Sequence, residues 1–462
     1  MAAGGGPAAS VVPPHIAVVG GGVAGCAAAR ALARAGAARV TVLDYGSRGV
    51  GGRASHRERR GATDGPPDSR HDHGCQHVCV RADASRVWRD TVAEWVAAGA
   101  LESWTPRVAA VGAGADASFF GASATLAARD GGALEALSVE ERPPTTERLY
   151  TARGGQRNLC EALLRGLDGV CVRRGVRVRA IERAESAQRW VLRGNPGNDA
   201  HHEASEARMG TVDEVELLTA DGVVFTDSMC AFPDWHRAAV LGLHAEAPAL
   251  AAAMSARRMA PLFACMLSFE SAPVLPLRFD ACVMGAPGGE DVEESVLQWA
   301  CNNGSKPGGE GTHEQCWTLV STRTFAESCL RDEPMSAPTA EGGASGEHQG
   351  ASRVYRPQEQ WYLKSAPAEA MVIAFKRACE GAGLMPAGFE WPRVAHSVCQ
   401  RWGAAYVDID ASEYVERVLW RGEAAGDGSG AGTHTAPYLL DEELGECTPP
   451  AATAPHGAAP AC

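Results

Sequence analysis

The sequence predicts an α/β fold, α+β overall, in which a parallel, dinucleotide-type domain is joined to a second, mainly antiparallel-sheet domain. Three observations predict it. A strand–turn–helix–strand unit runs from His15 to Asp44, and a second glycine cluster follows at Gly49 to Gly52. Later in the chain, β-rich segments are separated by loops rather than helices.

The first unit reads HIAVVGGGVAGCAAARALARAGAARVTVLD. Ile16 to Val19 is an apolar run long enough for a buried parallel strand. Gly20 permits a sharp turn, Gly22 lets a pyrophosphate approach the backbone, and Gly25 lets helix pack closely on strand. Val23, Ala24 and the residues up to about Ala35 form a helix closed by Gly36. Its N-terminus offers N–H groups and a partial positive charge to phosphates. Val40 to Leu43 is the second strand. It ends on Asp44, where an acid accepts hydrogen bonds from an adenosine ribose. The unit is Rossmann-like. A glycine-rich turn in a nucleotide-free domain is the competing reading.

Gly49, Gly51 and Gly52 then precede Arg53. A second backbone approach plus an arginine suits the extended diphosphate of FAD. A solvated basic loop is the alternative, since Arg57, Arg59 and Arg60 follow. His71, His73 and His77 invite a metal reading, but no metal is assigned: the segment has neither a carboxylate–histidine helix pattern nor paired cysteines. Ser85 to Leu101 is an amphipathic helix. Leu149 to Thr151 ends a strand, Gly154 and Gly155 turn, and Asn158 to Leu167 is helical. Val170 to Ala184 alternates like strands, as do Val215 to Leu218 and Val223 to Phe232. His236 to Leu243 reads as a short helix. Leu262 to Phe269, Ser295 to Cys301 and Cys316 to Ser321 are strands of a second sheet. Ala368 to Cys379 is a helix with Pro367 at its start. A strand-like turn is expected around Trp402.

The 462-residue length allows two or three domains' worth of core, and 45% apolar residues is ordinary for a globular chain. A net charge of −13 argues against nucleic acid and anionic membrane surfaces as partners. No run approaches the ~20 apolar residues of a membrane helix. The 15 cysteines are scattered, with no CxxC pair and no signal peptide, which points to reduced thiols. A cytoplasmic location is the expectation; the leader is not Arg-rich like a transit peptide.

Together these landmarks resemble the renalase-like branch of the FAD-dependent amine-oxidase superfamily, from His15 to about Tyr406. GVGGR at Gly49 to Arg53 is of the amine-oxidase type. DHGCQH, Asp72 to His77, resembles the family's Asp-x-Gly-x-Gln-aromatic segment, with His77 in place of the aromatic. LQWACNNGSKPG from Leu297, CWTLVST from Cys316 and CQRW from Cys399 resemble the renalase-like branch itself. The arginine that often follows that tryptophan is Gly403 here.

The resemblance implies FAD bound along Gly20, Gly22, Gly25, Asp44, Gly51, Gly52 and Arg53, with Val178 meeting the adenine end through its backbone. Gln76 and Trp402 would line the flavin ring. It implies hydride transfer from a small reduced substrate, of dihydronicotinamide or amine type, with dioxygen as acceptor. No acid or base is assigned, because hydride transfer does not require one. The family's closing Gly-Asp and flavin-facing segment is not found: AAGDGSGAG carries Gly426 and Asp427 without a flanking strand or helix.

The expected organisation is a leader over 1–14, the FAD-binding domain over 15–80 and 149–235, and the substrate domain over 81–148 and 236–398. Within the last, 336–353 is expected as a disordered insertion. Residues 399–446 return, incompletely, to the FAD domain, and 447–462 form a tail. A degenerate, non-catalytic dinucleotide-binding member is the alternative. A pyridine-nucleotide dehydrogenase would leave Gly49 to Arg53 unexplained. Asn302, Asn303 and Lys306 reach a substrate or belong to a solvated connection.

Overall fold

The computed structural model describes residues 12–61, 67–81, 84–111, 118–119, 122–123, 148–184, 189–196, 215–232, 239–284, 295–310, 312–332, 336–338, 353–355 and 360–408. The architecture is mixed α/β. Strands are numbered β1–β22 and helices α1–α8 along the chain.

The first sheet is parallel throughout, in the order β11-β2-β1-β15. It contains β1 (His15–Val19), β2 (Arg39–Asp44), β11 (Val170–Arg174) and β15 (Gly222–Phe225). Its apolar runs are explained by burial on both faces. Val18, Val40 and Val42 pack with Ala29 of α1 (Val23–Arg34). Ala17, Val19 and Leu43 face the antiparallel sheet β12-β13-β14 (Arg177–Arg183, Trp190–Asn195, Val215–Ala220). Helices α2 (Arg86–Ala97) and α3 (Arg157–Leu164) pack beside α1 through Cys26, Trp95, Leu159 and Leu163.

The second large sheet has six strands, in the order β22-β16-β19-β18-β17-β7. They are β7 (Val108–Val111), β16 (Arg258–Phe269), β17 (Ala281–Met284), β18 (Leu297–Asn302), β19 (Gln315–Ser321) and β22 (Val394–Asp408). All neighbours are antiparallel except β17 and β7. Period-2 alternation sends Phe263, Cys265, Leu267 and Phe269 to one face. There they meet Met371 and Phe375 of α8 (Ala366–Gly381). The opposite face carries Leu262, Trp299 and Val320. It packs on Trp104 and Leu149, which belong to the small sheet β5-β10-β6 (Val78–Val80, Arg148–Thr151, Glu102–Trp104). β3 (His56–Arg59) and β4 (Ser69–Asp72) form a hairpin, and β4 packs on β19.

The remaining elements are short. They are β8–β9 (Ser118–Phe119, Ala122–Ser123), α4 (Leu243–Glu246), α5 (Pro248–Ser255), α6 (Arg323–Asp332), β20–β21 (Ser336–Pro338, Arg353–Tyr355) and α7 (Gln360–Lys364). No described helix is long and apolar enough to cross a membrane.

Four expectations need correction. The strand foreseen over Val223 to Phe232 ends at Phe225, and a 3-10 turn follows at Ser228–Ala231, where the Asp227 carboxylate caps the Met229 N–H. Of the short helix foreseen over His236 to Leu243, residues 236–238 lie outside the described residues and 239–242 are not helical; a helix starts at Leu243, after Gly242 in a left-handed conformation. The insertion at 336–353 is not structureless at its ends, because Ser336–Pro338 pairs with Arg353–Tyr355; residues 339–352 lie outside the described residues. The turn around Trp402 is instead part of the continuous strand β22. That strand carries a bulge immediately after Trp402: Leu262 pairs with Trp402 but Ala260 pairs with Tyr406. Pro261 sits between them and has no N–H for the ladder, so Gly403, Ala404 and Ala405 bow out opposite it. The closing segment around Gly426 and Asp427, and the tail, lie outside the described residues.

Gly25 fixes how α1 meets β1. A Cβ there would be driven into the Gly20 carbonyl oxygen, which is rigid backbone. Gly25→Ala is therefore expected to lower stability by roughly 1–3 kcal/mol, read as a lower urea midpoint. An unchanged midpoint would show that helix and strand can separate freely.

Candidate functional site

The two glycine clusters, far apart in conformation from ordinary loops, cross each other at the C-terminal end of the parallel sheet. The Gly51 N–H donates to the Gly21 carbonyl at 2.7 Å, and Gly22 and Gly51 form an isolated parallel bridge. Gly20 (φ 109°), Gly51 (φ 143°) and Gly52 (φ 52°) hold conformations that side chains disfavour. The Gly20 N–H donates to Leu43 O at 2.9 Å, and the Thr226 hydroxyl donates to Val19 O at 2.9 Å, pinning the turn between β2 and β15. Thr226 had no signal in the glycine pattern; its position just past β15, the last parallel strand in chain order, is what places it.

The crossing opens outward. Gly22 and Val23 are half-buried, while Ala24, Gly52 and Arg53 are exposed. A Cβ on Gly22 would meet only the Gly51 carbonyl oxygen, at 3.9 Å. So Gly22 is not required by packing, and its missing side chain leaves a groove free along the first turn of α1.

Asp44 closes the inner end of this groove. Its carboxylate is 7% exposed, and Oδ1 accepts the Gly21 N–H at 3.4 Å. Oδ2 is buried with no hydrogen bond among the described residues. Burial raises its pKa above the usual carboxylate range, against the pull of the Gly46, Gly21 and Tyr45 N–H groups. A buried acceptor without a donor is costly, so this oxygen suits a hydroxyl donor supplied by a ligand. Val178, buried in β12, is near the same end of the sheet: the Val176 N–H donates to Asp44 O at 2.9 Å.

Arg53 leaves the crossing in the other direction. Its Nη1 donates to Ala405 O at 3.1 Å and Ala404 O at 3.3 Å, the carbonyls freed by the β22 bulge. Its own carbonyl accepts the Cys75 N–H at 2.7 Å. A Cβ on Gly74 would strike that carbonyl, so the segment Asp72 to His77 lies flat against Arg53.

That segment is held on every side. The Trp402 indole Nε1 donates to His73 O at 2.6 Å, and its ring stacks on His73 at 5.4 Å. Gln76 donates through Nε2 to Asp72 O (2.7 Å) and Gly74 O (3.0 Å), and Oε1 faces Lys306 Nζ at 3.5 Å. The Gln76 amide is thus fully engaged inside the loop, and it is 1% exposed. The structure brings Gln76 and Trp402 to one loop: Gln76 shapes it from within, and the half-buried Trp402, on β22, packs over it.

The feature that sequence reasoning missed is the ion pair Asp72–Lys306, at 2.8 Å, with both side chains almost wholly buried. Lys306 is not a solvated connection. Asp72 Oδ1 also caps α3 by accepting the Gln156 N–H at 2.8 Å. Asn303 Oδ1 accepts the Asp72 N–H at 3.2 Å, and Asn303 Nδ2 donates to Thr318 Oγ1 at 2.9 Å. Burial pushes the Lys306 ammonium down, but the Asp72 carboxylate more than offsets this and leaves it above its ordinary value. Nothing in the spacing signals the pair, because the partners are 234 residues apart.

The three histidines point to different neighbours. His71 Nε2 approaches Leu267 O at 3.1 Å, His73 stacks on Trp402, and His77 lies between Trp104 and Trp299. Among the described residues no group of three or more His, Cys, Asp or Glu side chains could hold a metal ion. The described cysteines are free thiols. Burial raises Cys75 and Cys301, near Lys306, to about 11, so both stay protonated at neutral pH.

Comparison with known proteins agrees with this geometry. Residues 18–95 match the family NAD(P)-binding Rossmann-like domain, a span containing both glycine clusters and the Asp72–His77 loop. The whole fold is similar to the crystal structure of an Exiguobacterium sp. 255-15 protein assigned as a protoporphyrinogen oxidase. The TM-score is 0.50 at 12% identity, covering 89% of this chain and 90% of that one. It also aligns with reduced UDP-galactopyranose mutase, at TM-score 0.49 and 11% identity, covering 90% of this chain and 86% of that one. The chain therefore carries a Rossmann-like dinucleotide-binding unit within a larger α/β fold.

Two outcomes are expected. Lys306→Met strands a buried carboxylate and should destabilise the protein by about 3–5 kcal/mol, part of which Asp72→Asn in the same chain restores. Urea midpoints for the single and double variants check this; equal midpoints would mean the pair is inert. The second concerns acid. Burial lowers His71 from 6.5 to about 4, so the unfolded chain binds its proton first as pH falls. Stability from this group is complete above pH 6.5 and declines down to about 4, by about 3 kcal/mol in all. The urea midpoint should fall across that window, and less steeply in His71→Gln.

Proposed function

We propose that this chain is an FAD-dependent oxidoreductase. The observation that carries the reading is the groove between the two glycine clusters, open at Gly22 and Gly52 and ending on the unpartnered Asp44 Oδ2. A single-turn nucleotide site needs only the first cluster. Here a second cluster is bonded to the first and followed by an exposed arginine, which suits a dinucleotide with a long diphosphate. The residues that would hold it are Gly20, Gly22, Val23, Ala24 and Gly25 for the diphosphate, Asp44 for the ribose, and Val178 for the adenine end. Gly51, Gly52 and Arg53 would hold the central part.

Bound flavin supplies hydride acceptance and onward electron transfer, chemistry that belongs to the cofactor. The protein's own part is orientation and exclusion of water. Trp402 and the loop held by Gln76 would form the wall beside the ring. Its rigidity follows from the hydrogen bonds of Asp72, Gln76, Lys306 and Trp402. The finer reading is a renalase-like oxidase that takes a hydride from a small reduced substrate, of dihydronicotinamide or amine type, and passes electrons to dioxygen. Its support is the convergence of four quoted segments, Gly49–Arg53, Asp72–His77, Asn302–Gly308 and Cys399–Trp402, around one loop. The parallel-sheet part is the proposed cofactor domain and the six-stranded sheet the proposed substrate domain.

Heat-released cofactor, separated by chromatography, should be FAD; FMN alone, or a nicotinamide dinucleotide alone, would overturn the reading. Gly22→Val should fold normally, since its φ of −74° is ordinary and the space is open, yet carry no flavin. Arg59→Ala, distant from the groove, should retain flavin. Equal flavin per folded protein in both variants would refute the groove.

A further inference from the structure

Among the described residues, several arginines are neutralised by a neighbouring carboxylate. Arg59 pairs with Asp68 and Glu314, Arg107 with Asp280, and Arg393 with Glu270. Beside the glycine crossing, neighbouring arginines meet neutral acceptors instead. Arg57 Nη2 donates to the Gln400 Oε1 amide oxygen at 2.7 Å, and Arg157 Nη2 donates to the His56 carbonyl at 2.6 Å. Both acceptors are neutral. Among the described residues, neither Arg57, Arg157 nor the exposed Arg48 makes an ion pair with a carboxylate.

These side chains are close to one another. Arg157 binds the carbonyl of the residue preceding Arg57, and its side chain passes 3.2 Å from where a Cβ on Gly49 would stand. Arg48 is the residue before Gly49. The cations act on each other: burial, then Arg48, then Arg157 lowers the pKa of Arg57. Glu161 also approaches Gly49 but forms no ion pair with Arg157. Arg57 extends to β22, two residues from Trp402, whereas Arg53 turns to the Ala404 and Ala405 carbonyls.

We propose that Arg57 and Arg157, with Arg48 behind them, form a second oxyanion site that takes a phosphoryl group of the electron-donating substrate. It is distinct from the groove proposed for the cofactor diphosphate. Three mutually repelling cations match a dianion better than a single carboxylate, and guanidinium forks suit phosphate oxygens. The tie to Gln400 puts the anion on the Trp402 side of the crossing, where the substrate would lie. The assignment to substrate rests on the flavin reading.

The test uses the full chain saturated with FAD. Inorganic phosphate is titrated at constant ionic strength, with formate as the carboxylate probe, by calorimetry and by flavin absorbance. Wild-type protein should bind phosphate saturably and more tightly than formate. Arg57→Gln and Arg157→Gln should each weaken phosphate binding at least tenfold, leave FAD affinity within twofold, and leave Arg393→Gln as a silent control. Three results would overturn the site: no saturable phosphate binding by wild type, formate binding as tightly as phosphate, or FAD affinity falling in parallel in both variants. The last would give these arginines to the cofactor diphosphate. Failure of the wild-type chain to take up FAD is seen before any phosphate is added; it overturns the flavin reading, and this site with it.

Discussion

The buried contact between Asp72 and Lys306 is the constraint on which the site depends. Asp72 ends the hairpin β3–β4, caps α3 and accepts from Thr318 of the six-stranded sheet through its carbonyl. Lys306 arrives on the loop after β18. One carboxylate thus joins the α3 layer behind the parallel sheet to the second sheet. Its desolvation is offset only because every approach is satisfied: an ammonium, a helix N-terminal N–H, and a loop closed by Gln76. Replacing the pair by apolar groups could keep stability but would release the orientation of residues 72–77.

That orientation matters because the loop is also the floor against which Arg53 and Trp402 are set. Arg53 needs two carbonyls outside the ladder, and the β22 bulge supplies them. The bulge in turn follows from Pro261, which cannot donate to the strand opposite. A proline in β16 therefore controls where an arginine from the glycine crossing can anchor. Gly403 sits inside this bulge.

Much of the parallel half was legible in the sequence. The glycine spacing, the helix after it and Asp44 are local features, and local conformation dictates them: Gly20 needs its positive φ, and Gly25 needs the missing Cβ. The second sheet was legible as strands, since runs such as Leu262 to Phe269 are apolar on both faces and both faces are buried. What could not be read was whatever depends on long-range pairing. The short run after Phe225 continues to look β-like, yet Asp227 caps a 3-10 turn there. The segment around Trp402 read as a strand-like turn, while the ladder with β16 carries the strand through. Gln76 read as a residue facing a ligand, and its amide is consumed by two backbone carbonyls and a lysine.

The same distinction separates the two kinds of glycine in the groove. Gly25 and Gly74 are demanded by the fold, since a side chain at either would strike backbone. Gly22 is not; the protein has room for a side chain there and does not use it. Asp44 has the complementary property: its buried Oδ2 has no hydrogen-bond donor in good geometry among the described residues, although the Gly46, Gly21 and Tyr45 N–H groups pull its pKa down. Packing explains neither. An open first helical turn at Gly22, and at its end a buried Asp44 oxygen without a donor among the described residues, are both features a packed fold does not require. Both suit a single ligand with an anionic middle and a hydroxyl-bearing end. A dinucleotide would match both features at once, which the glycine spacing alone does not require.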